Sequence, residues 1–126
     1  MKIGETLSWR RTFSEDDIRL FAQISGDVGE HHLAHDDKGR LMVHGLLTAT
    51  LPTKIGGDLN FIAREMIFRF HRPVFAGDTL ECIVTLTSAE PGDGYTSVSS
   101  EWKCTNQHGK DVMTGSAHGI VRDKAD

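Results

Sequence analysis

Two cysteines, three prolines and a single tyrosine are what this sequence of 126 residues has least of. Cys82 and Cys104 stand too far apart for a metal knuckle, and in a reducing compartment they are expected to be buried thiols rather than a bridge. No stretch is rich enough in proline or of low enough complexity to act as a linker. No apolar run reaches the roughly 20 residues that span a bilayer. Met1-Lys2-Ile3-Gly4-Glu5-Thr6 lacks the apolar core of a secretion signal, so a cytoplasmic protein without a membrane partner is expected. Basic excess is missing as well: 14 Lys+Arg face 18 Asp+Glu, a formal charge of -4. With the two signs interspersed, no face is left to neutralise a phosphate backbone, which excludes nucleic acid as a partner and still allows a small anion held by local cations. What is present is 38% hydrophobic residues and 13 glycines, enough for one packed core, so residues 1–126 are read as a single domain.

The periodicity changes character along the chain. Leu7, Trp9 and Phe13 alternate within Thr6 to Phe13, which predicts a first strand. Ser14 with Asp17 three residues on is an N-cap pattern, Phe13 and Ile18 are spaced as a hydrophobic staple, and acids crowd the first turn, so a helix starts here. Its apolar stripe is Ile18, Phe21 and Ala22, widened by Leu20 and Ile24, and Gly26 stops it. Asp27 to Val43 is polar and aperiodic, a loop with room for one short turn. His44 to Leu51 is apolar nearly all round and predicts a buried helix that kinks near Leu51 ahead of Pro52 and ends at Gly56-Gly57. From Met66 onward the period is two, through four runs separated by Ala76-Gly77-Asp78, Pro91-Gly92-Asp93-Gly94 and Asn106-Gln107-His108-Gly109. The elements describe an α+β domain, an antiparallel meander wrapped with the first strand around one central helix.

Four of the seven histidines, His31, His32, His35 and His44, fall within fourteen positions of one another. They follow Asp27, which sits at a helix C-terminus where the dipole disfavours an anion. Asp27 and His32 are joined by a non-helical link that lets carboxylate and imidazole face one water, a pair able to take and return a proton. Gly45 begins the buried helix, so its N–H has no intrahelical partner and can point at a developing oxyanion.

Phe13-Ser14-Glu15-Asp16-Asp17, Phe21-Ala22, Ser25-Gly26-Asp27, His32, Val43-His44-Gly45-Leu46-Leu47, Phe70-His71-Arg72-Pro73-Val74 and Gly77-Asp78 together resemble the MaoC-like, (R)-specific enoyl-CoA hydratases of the hot dog fold. The resemblance runs from about residue 5 to residue 90. That family's signature has the form G-D-x-N-P-x-H, and Gly26, Asp27 and His32 match it in spacing. It implies a five-stranded antiparallel sheet around a central helix, and addition of water to a trans-2-enoyl thioester or the reverse. In that reaction Asp27 and His32 would share the water and Gly45 N–H would polarise the thioester carbonyl. His31, His44, Leu46 and Thr48 are expected to contact the substrate, a coenzyme A thioester, with no further cofactor and no metal. Gly29 and Glu30 stand where the family has Asn-Pro, and only eleven residues separate His32 from His44, which implies a reduced substrate-binding overhang; His31 is the rival of His32 as the catalytic imidazole.

Three other readings compete. His31, His32, His35, Asp36 and Asp37 carry the right ligands for zinc or iron. A hot dog thioesterase would need a water-directing group on the central helix, where only Thr48 and Thr50 offer hydroxyls. A non-catalytic acyl-CoA binding module would keep the fold without turnover. Lys54, Arg64, Arg69 and Arg72 are candidate cations for coenzyme A phosphates, while His71, His108 and His118 are expected at the surface or in packing. A single curled sheet leaves an edge for a second copy, so a homodimer is expected.

Overall fold

The computed structural model describes residues 2–124. The first strand, β1 (Thr6–Thr12), leads into helix α1 (Glu15–Ser25). Its start is built as the sequence predicts. The Ser14 hydroxyl accepts from the Asp17 N–H at 3.1 Å, and the Asp17 carboxylate accepts from the Ser14 N–H at 2.9 Å. Phe13 and Ile18 are both fully buried in the same core, and Gly26, at φ 75°, closes the helix in a left-handed conformation open to glycine. The predicted stripe is too wide. Leu20 and Ile24 are exposed, because α1 lies on the outside of the fold and only the Ile18, Phe21 and Ala22 seam turns inward.

After one turn of helix, α2 (Glu30–Leu33), the chain enters the central helix in two pieces, α3 (Gly45–Thr48) and α4 (Thr50–Asp58). The interruption falls at Ala49 rather than near Leu51, and the helix runs past Gly56-Gly57. A proline crowds the carbonyl four residues before it, here that of Thr48. Breaking the helix at Ala49 places Pro52 third in α4, where a missing N–H costs no intrahelical bond.

Strands β2 (Phe61–Phe70), β3 (Thr79–Pro91), β4 (Tyr95–Thr105) and β5 (Asp111–Arg122) complete one antiparallel sheet in the order β1-β3-β4-β5-β2. Only β3 to β5 form a meander. β2 pairs with β5, so the chain crosses the sheet between β2 and β3, which corrects the expectation of a four-strand meander. The sheet's inner face covers α4: Leu51 and Ile55 pack in one cluster with Leu80, Cys82, Val84, Trp102, Cys104 and Met113. Cys82 and Cys104 are buried and unbridged, directly opposite each other on β3 and β4.

Candidate active site

The αL stop at Gly26 turns the chain out of α1 so that Asp27 leaves the helix axis. Three bonds then hold Asp27. Its N–H donates to Ser25 Oγ at 3.0 Å, its Oδ1 accepts from the Gly29 N–H at 3.1 Å, and its carbonyl accepts from His44 Nε2–H at 2.9 Å. The Gly29 N–H is the main cause that holds the Asp27 carboxyl below the usual value of 3.8, against the opposing effect of burial and with the imidazoles of His32, His44 and His31 adding to it. Asp27 is therefore a carboxylate at neutral pH, an acceptor rather than an acid.

His32 sits on α2, only 5% exposed, and its Nδ1 lies 2.9 Å from the Met42 carbonyl oxygen. A carbonyl only accepts, so Nδ1 carries a proton, and in the neutral ring Nε2 presents its lone pair. That lone pair lies 3.8 Å from Asp27 Oδ2. This is too long for a direct hydrogen bond and right for one water between them. A water about 2.8 Å from each atom would donate one hydrogen to Nε2 and one to Oδ2 at an angle of roughly 90°, leaving its lone pairs free. His31, the rival, is exposed and lies against His32 with ring centroids 3.9 Å apart and planes tilted by 54°. It is His32 whose nitrogen approaches Asp27.

A cavity of about 290 Å³ opens beside this pair. Of the residues expected to meet substrate, His31, His32, Gly45 and Thr48 line it. Asp27 does not. Its half-exposed carboxylate adjoins the cavity only through His32. Two expectations need correction. His44 is 1% exposed and packs behind His32 instead of facing the cavity, and Leu46 points to solvent. Their chain position beside Gly45 is right, but the turn of α3 aims both side chains elsewhere. Gly45 itself is required by a close approach: a Cβ there would stand 3.0 Å from Phe70 Cε1.

Phe70, His71 and Arg72 also form the wall, and of these the sequence reading offered only Arg72, as one of four cations. His71, expected at the surface or in packing, lies with Nε2 2.7 Å from Thr114 Oγ1, and Arg72 donates to the Asp111 carbonyl at 2.6 Å. The signal was their place at the end of β2, opposite the start of the central helix. Lys54 is held by Asp58 on its own helix. A second, apolar cavity of about 100 Å³ lies between α4 and the sheet, walled by Ile55, Phe61, Met66 and Trp102 among others.

The metal reading finds its ligands dispersed. His35 bonds Glu15 and Asp36 bonds Arg40, leaving neither turned toward His32. A different trio, Asp27, His32 and His44, brings ligand atoms within 4.8 Å of one another. However, the His32 and His44 rings are stacked 3.8 Å apart with their planes inclined by 19°. Imidazole lone pairs lie in the ring plane, and two such planes do not meet within the ~2 Å reach of a metal–nitrogen bond. The arrangement suits proton transfer through one water and not chelation. No carboxylate stands among the residues described as lining the 290 Å³ cavity; Asp27 meets it through His32.

The sequence model of the FAS1-like, dehydratase domain region matches residues 2–115. The chain belongs to that family. An (R)-specific enoyl-CoA hydratase of Rhodospirillum rubrum is 33% identical to it over 96% of this chain and 88% of its own length. The mitochondrial 3-hydroxyacyl-[acyl-carrier-protein] dehydratase of Arabidopsis thaliana is 25% identical, over 96% of this chain and 78% of its own. Among solved structures, the unliganded R-hydratase PhaJ1 of Pseudomonas aeruginosa superposes with a TM-score of 0.82 at 25% identity, covering 99% of this chain and 84% of that one. The MaoC-like resemblance and the hot dog fold expected from Gly26-Asp27, His32 and His44-Gly45 both hold for this member of the FAS1-like dehydratase family.

Proposed function

We propose that this protein is a hydro-lyase that adds water to trans-2-enoyl-CoA thioesters to give (R)-3-hydroxyacyl-CoA, or runs the same reaction in reverse. One observation carries the reading: His32 Nε2 faces the Asp27 carboxylate at 3.8 Å, the separation one water bridges, in a chain 33% identical to an (R)-specific enoyl-CoA hydratase. The bridging water's oxygen forms a bond to C3 while its proton passes to His32 Nε2. Charge moves through the C2–C3 double bond onto the thioester oxygen, where the unpartnered Gly45 N–H on the cavity wall is the donor that stabilises it. Collapse of that charge takes a proton to C2, returning His32 to its starting state. Asp27 orients the water and stabilises the imidazolium that forms transiently. Every atom of the product comes from water and thioester, and this reading calls on no cofactor or metal.

Arg72, on the cavity wall, is the cation we assign to the phosphates of coenzyme A. The apolar cavity between α4 and the sheet is the place for a short acyl chain. Its 100 Å³ is less than the roughly 150 Å³ that holds a benzene ring. The second sheet edge, β2, exposes Ile62, Ile67 and Phe70, and a homodimer formed there would cover them. Among the described residues no helix is long and apolar enough to cross a membrane, and we assign the protein to fatty acid metabolism in the cytoplasm.

The test follows the enoyl thioester absorbance across a panel of trans-2-enoyl-CoA substrates, wild type beside His32→Ala, with the product's stereochemistry identified. Turnover that depends on His32 and gives the (R) product supports the reading. Release of free coenzyme A thiol instead would make it a thioesterase, and binding without turnover an acyl-CoA binding module.

A further inference from the structure

His44 touches both members of the pair without reaching the cavity. Its ring stacks on His32 at 3.8 Å, and its Nε2 lies 2.9 Å from the Asp27 carbonyl oxygen. Phe21 on α1 backs it edge-on with ring centroids 4.9 Å apart. Since a carbonyl only accepts, Nε2 of His44 carries the proton, and its Nδ1 is left buried with no hydrogen-bond partner among the described residues. A buried polar atom left unsatisfied is costly, and one that persists needs a reason. The bond on the other side of the ring supplies it. Of the three hydrogen bonds that hold Asp27, the one to Ser25 and the one from Gly29 span two residues each; among them only the bond from His44 ties Asp27 to another part of the chain, seventeen positions on.

We infer that His44 is a positioning residue for the Asp27–His32 pair: it anchors the aspartate backbone with its Nε2–H and fixes the plane of the His32 ring with its face. The same residue precedes Gly45, so the anchor also sets the carboxylate, the imidazole and the oxyanion donor in one frame. The bond from His44 reaches Asp27 from outside its loop and does the holding. The flat stack leaves His32 free to exchange a proton at Nε2 while preventing rotation about its own axis.

The inference rests on the hydratase reading for its kinetic arm and stands without it in its spectroscopic arm. In wild-type protein, imidazole-selective 15N NMR is expected to show His44 as the Nε2–H tautomer with a slowly exchanging ring proton. An Nδ1–H tautomer, or a rapidly exchanging proton, overturns the inference whether or not the protein turns over enoyl-CoA. Kinetically, His44→Phe keeps a flat ring and removes the donor. A displacement of the pair approaching 1 Å predicts a fall in kcat of about a hundredfold, with KM within about twofold because His44 is not in the cavity wall. His44→Gln restores a donor at the same reach and is expected to recover about tenfold of that loss. A folded His44→Phe variant with wild-type kcat, or a glutamine variant as impaired as the phenylalanine one, overturns the positioning role. No turnover by wild type across the panel sinks the hydratase reading and leaves the NMR result to judge His44.

Discussion

Replacing Gly45 with alanine tests the site at its tightest point. The added Cβ would stand 3.0 Å and 3.1 Å from Phe70 Cε1 and Cζ, where ordinary contact begins at 3.4 Å. The ring and the first turn of α3 must therefore separate by about 0.4–1 Å. A misplacement of 1 Å at a reacting centre costs up to about a hundredfold, so half that displacement predicts a loss of roughly tenfold in kcat/KM, or about 1.4 kcal/mol of transition-state stabilisation. Stability moves the other way. Gly45 is an ordinary helical residue at the start of α3, and alanine there is favoured by up to about 1 kcal/mol. Half-exposed Phe70 takes up part of the shift at little cost in stability, and as a lining residue of the cavity it carries that shift into the site. The assay is enoyl-CoA hydration by Gly45→Ala beside a melting curve, and then by Gly45→Ala with Phe70→Leu. Reduced activity at an unchanged or raised Tm, recovered by the smaller side chain at 70, is the expected result. Wild-type kcat/KM in the single variant refutes the reasoning, and so does a loss that Phe70→Leu fails to relieve.

Asp27→Asn keeps an oxygen for the Gly29 N–H but loses the charge that orients the water, so kcat is expected to fall by about 10²–10⁴-fold, with a small fall in melting temperature as the favoured charge is lost. Ser14→Ala removes half of the capping box of α1 and should lower stability by about 1 kcal/mol in urea titration without altering kcat. Acid should destabilise the fold in a defined window. Glu15, held low by His35, Asp17 and Asp27, held low by the Ser14 and Gly29 N–H groups, and Asp36, held low by the Arg40 N–H, all titrate below their usual values of 4.5 and 3.8 in the folded state. The unfolded chain then binds more protons, so their contribution is present in full above about pH 5 and is lost as pH falls through the folded values. Melting curves recorded down to about pH 3 should show Tm falling only below that point, and a flat Tm would contradict it.

Local chemistry explains what was legible beforehand. The start of α1 is encoded within four residues by Ser14 and Asp17, its end by Gly26, and the turns by Gly92 to Gly94 and Asn106 to Gly109. Elements whose geometry depends on distant partners were harder to place. Nothing in Phe61–Phe70 announces that its neighbour is β5 and not β3, because alternation sets which face a residue occupies and not which strand lies alongside. Leu20 and Ile24 fit a helical stripe equally well whether or not anything covers them. At the candidate site, Asp27 and His32 were offered by spacing and Gly45 by its place at the start of the buried helix. His44 was expected at the substrate from the resemblance, and only the packing of Phe21 and His32 around the ring shows that it turns inward. His71 and Arg72 belong to the wall through the crossing of β2 to the far edge, a property of topology that their own sequence context does not carry.

That strand order governs when the molecule can become a molecule at all. β1 finds its sheet neighbour 67 to 79 positions downstream, from Thr12 opposite Thr79 to Thr6 opposite Thr85, and β2 has β5 as its sole neighbour in the described sheet. During synthesis neither edge has anything to pair with until most of the chain has emerged, and the helix bearing Gly45 waits meanwhile without the surface that buries it. Loop closure over such separations is slow, and partial structures gain little before the last strand arrives. Assembly is consequently late and concerted, and the strand beginning at Asp111, which contributes no residue to the Asp27–His32 pair, decides whether that pair ever comes together.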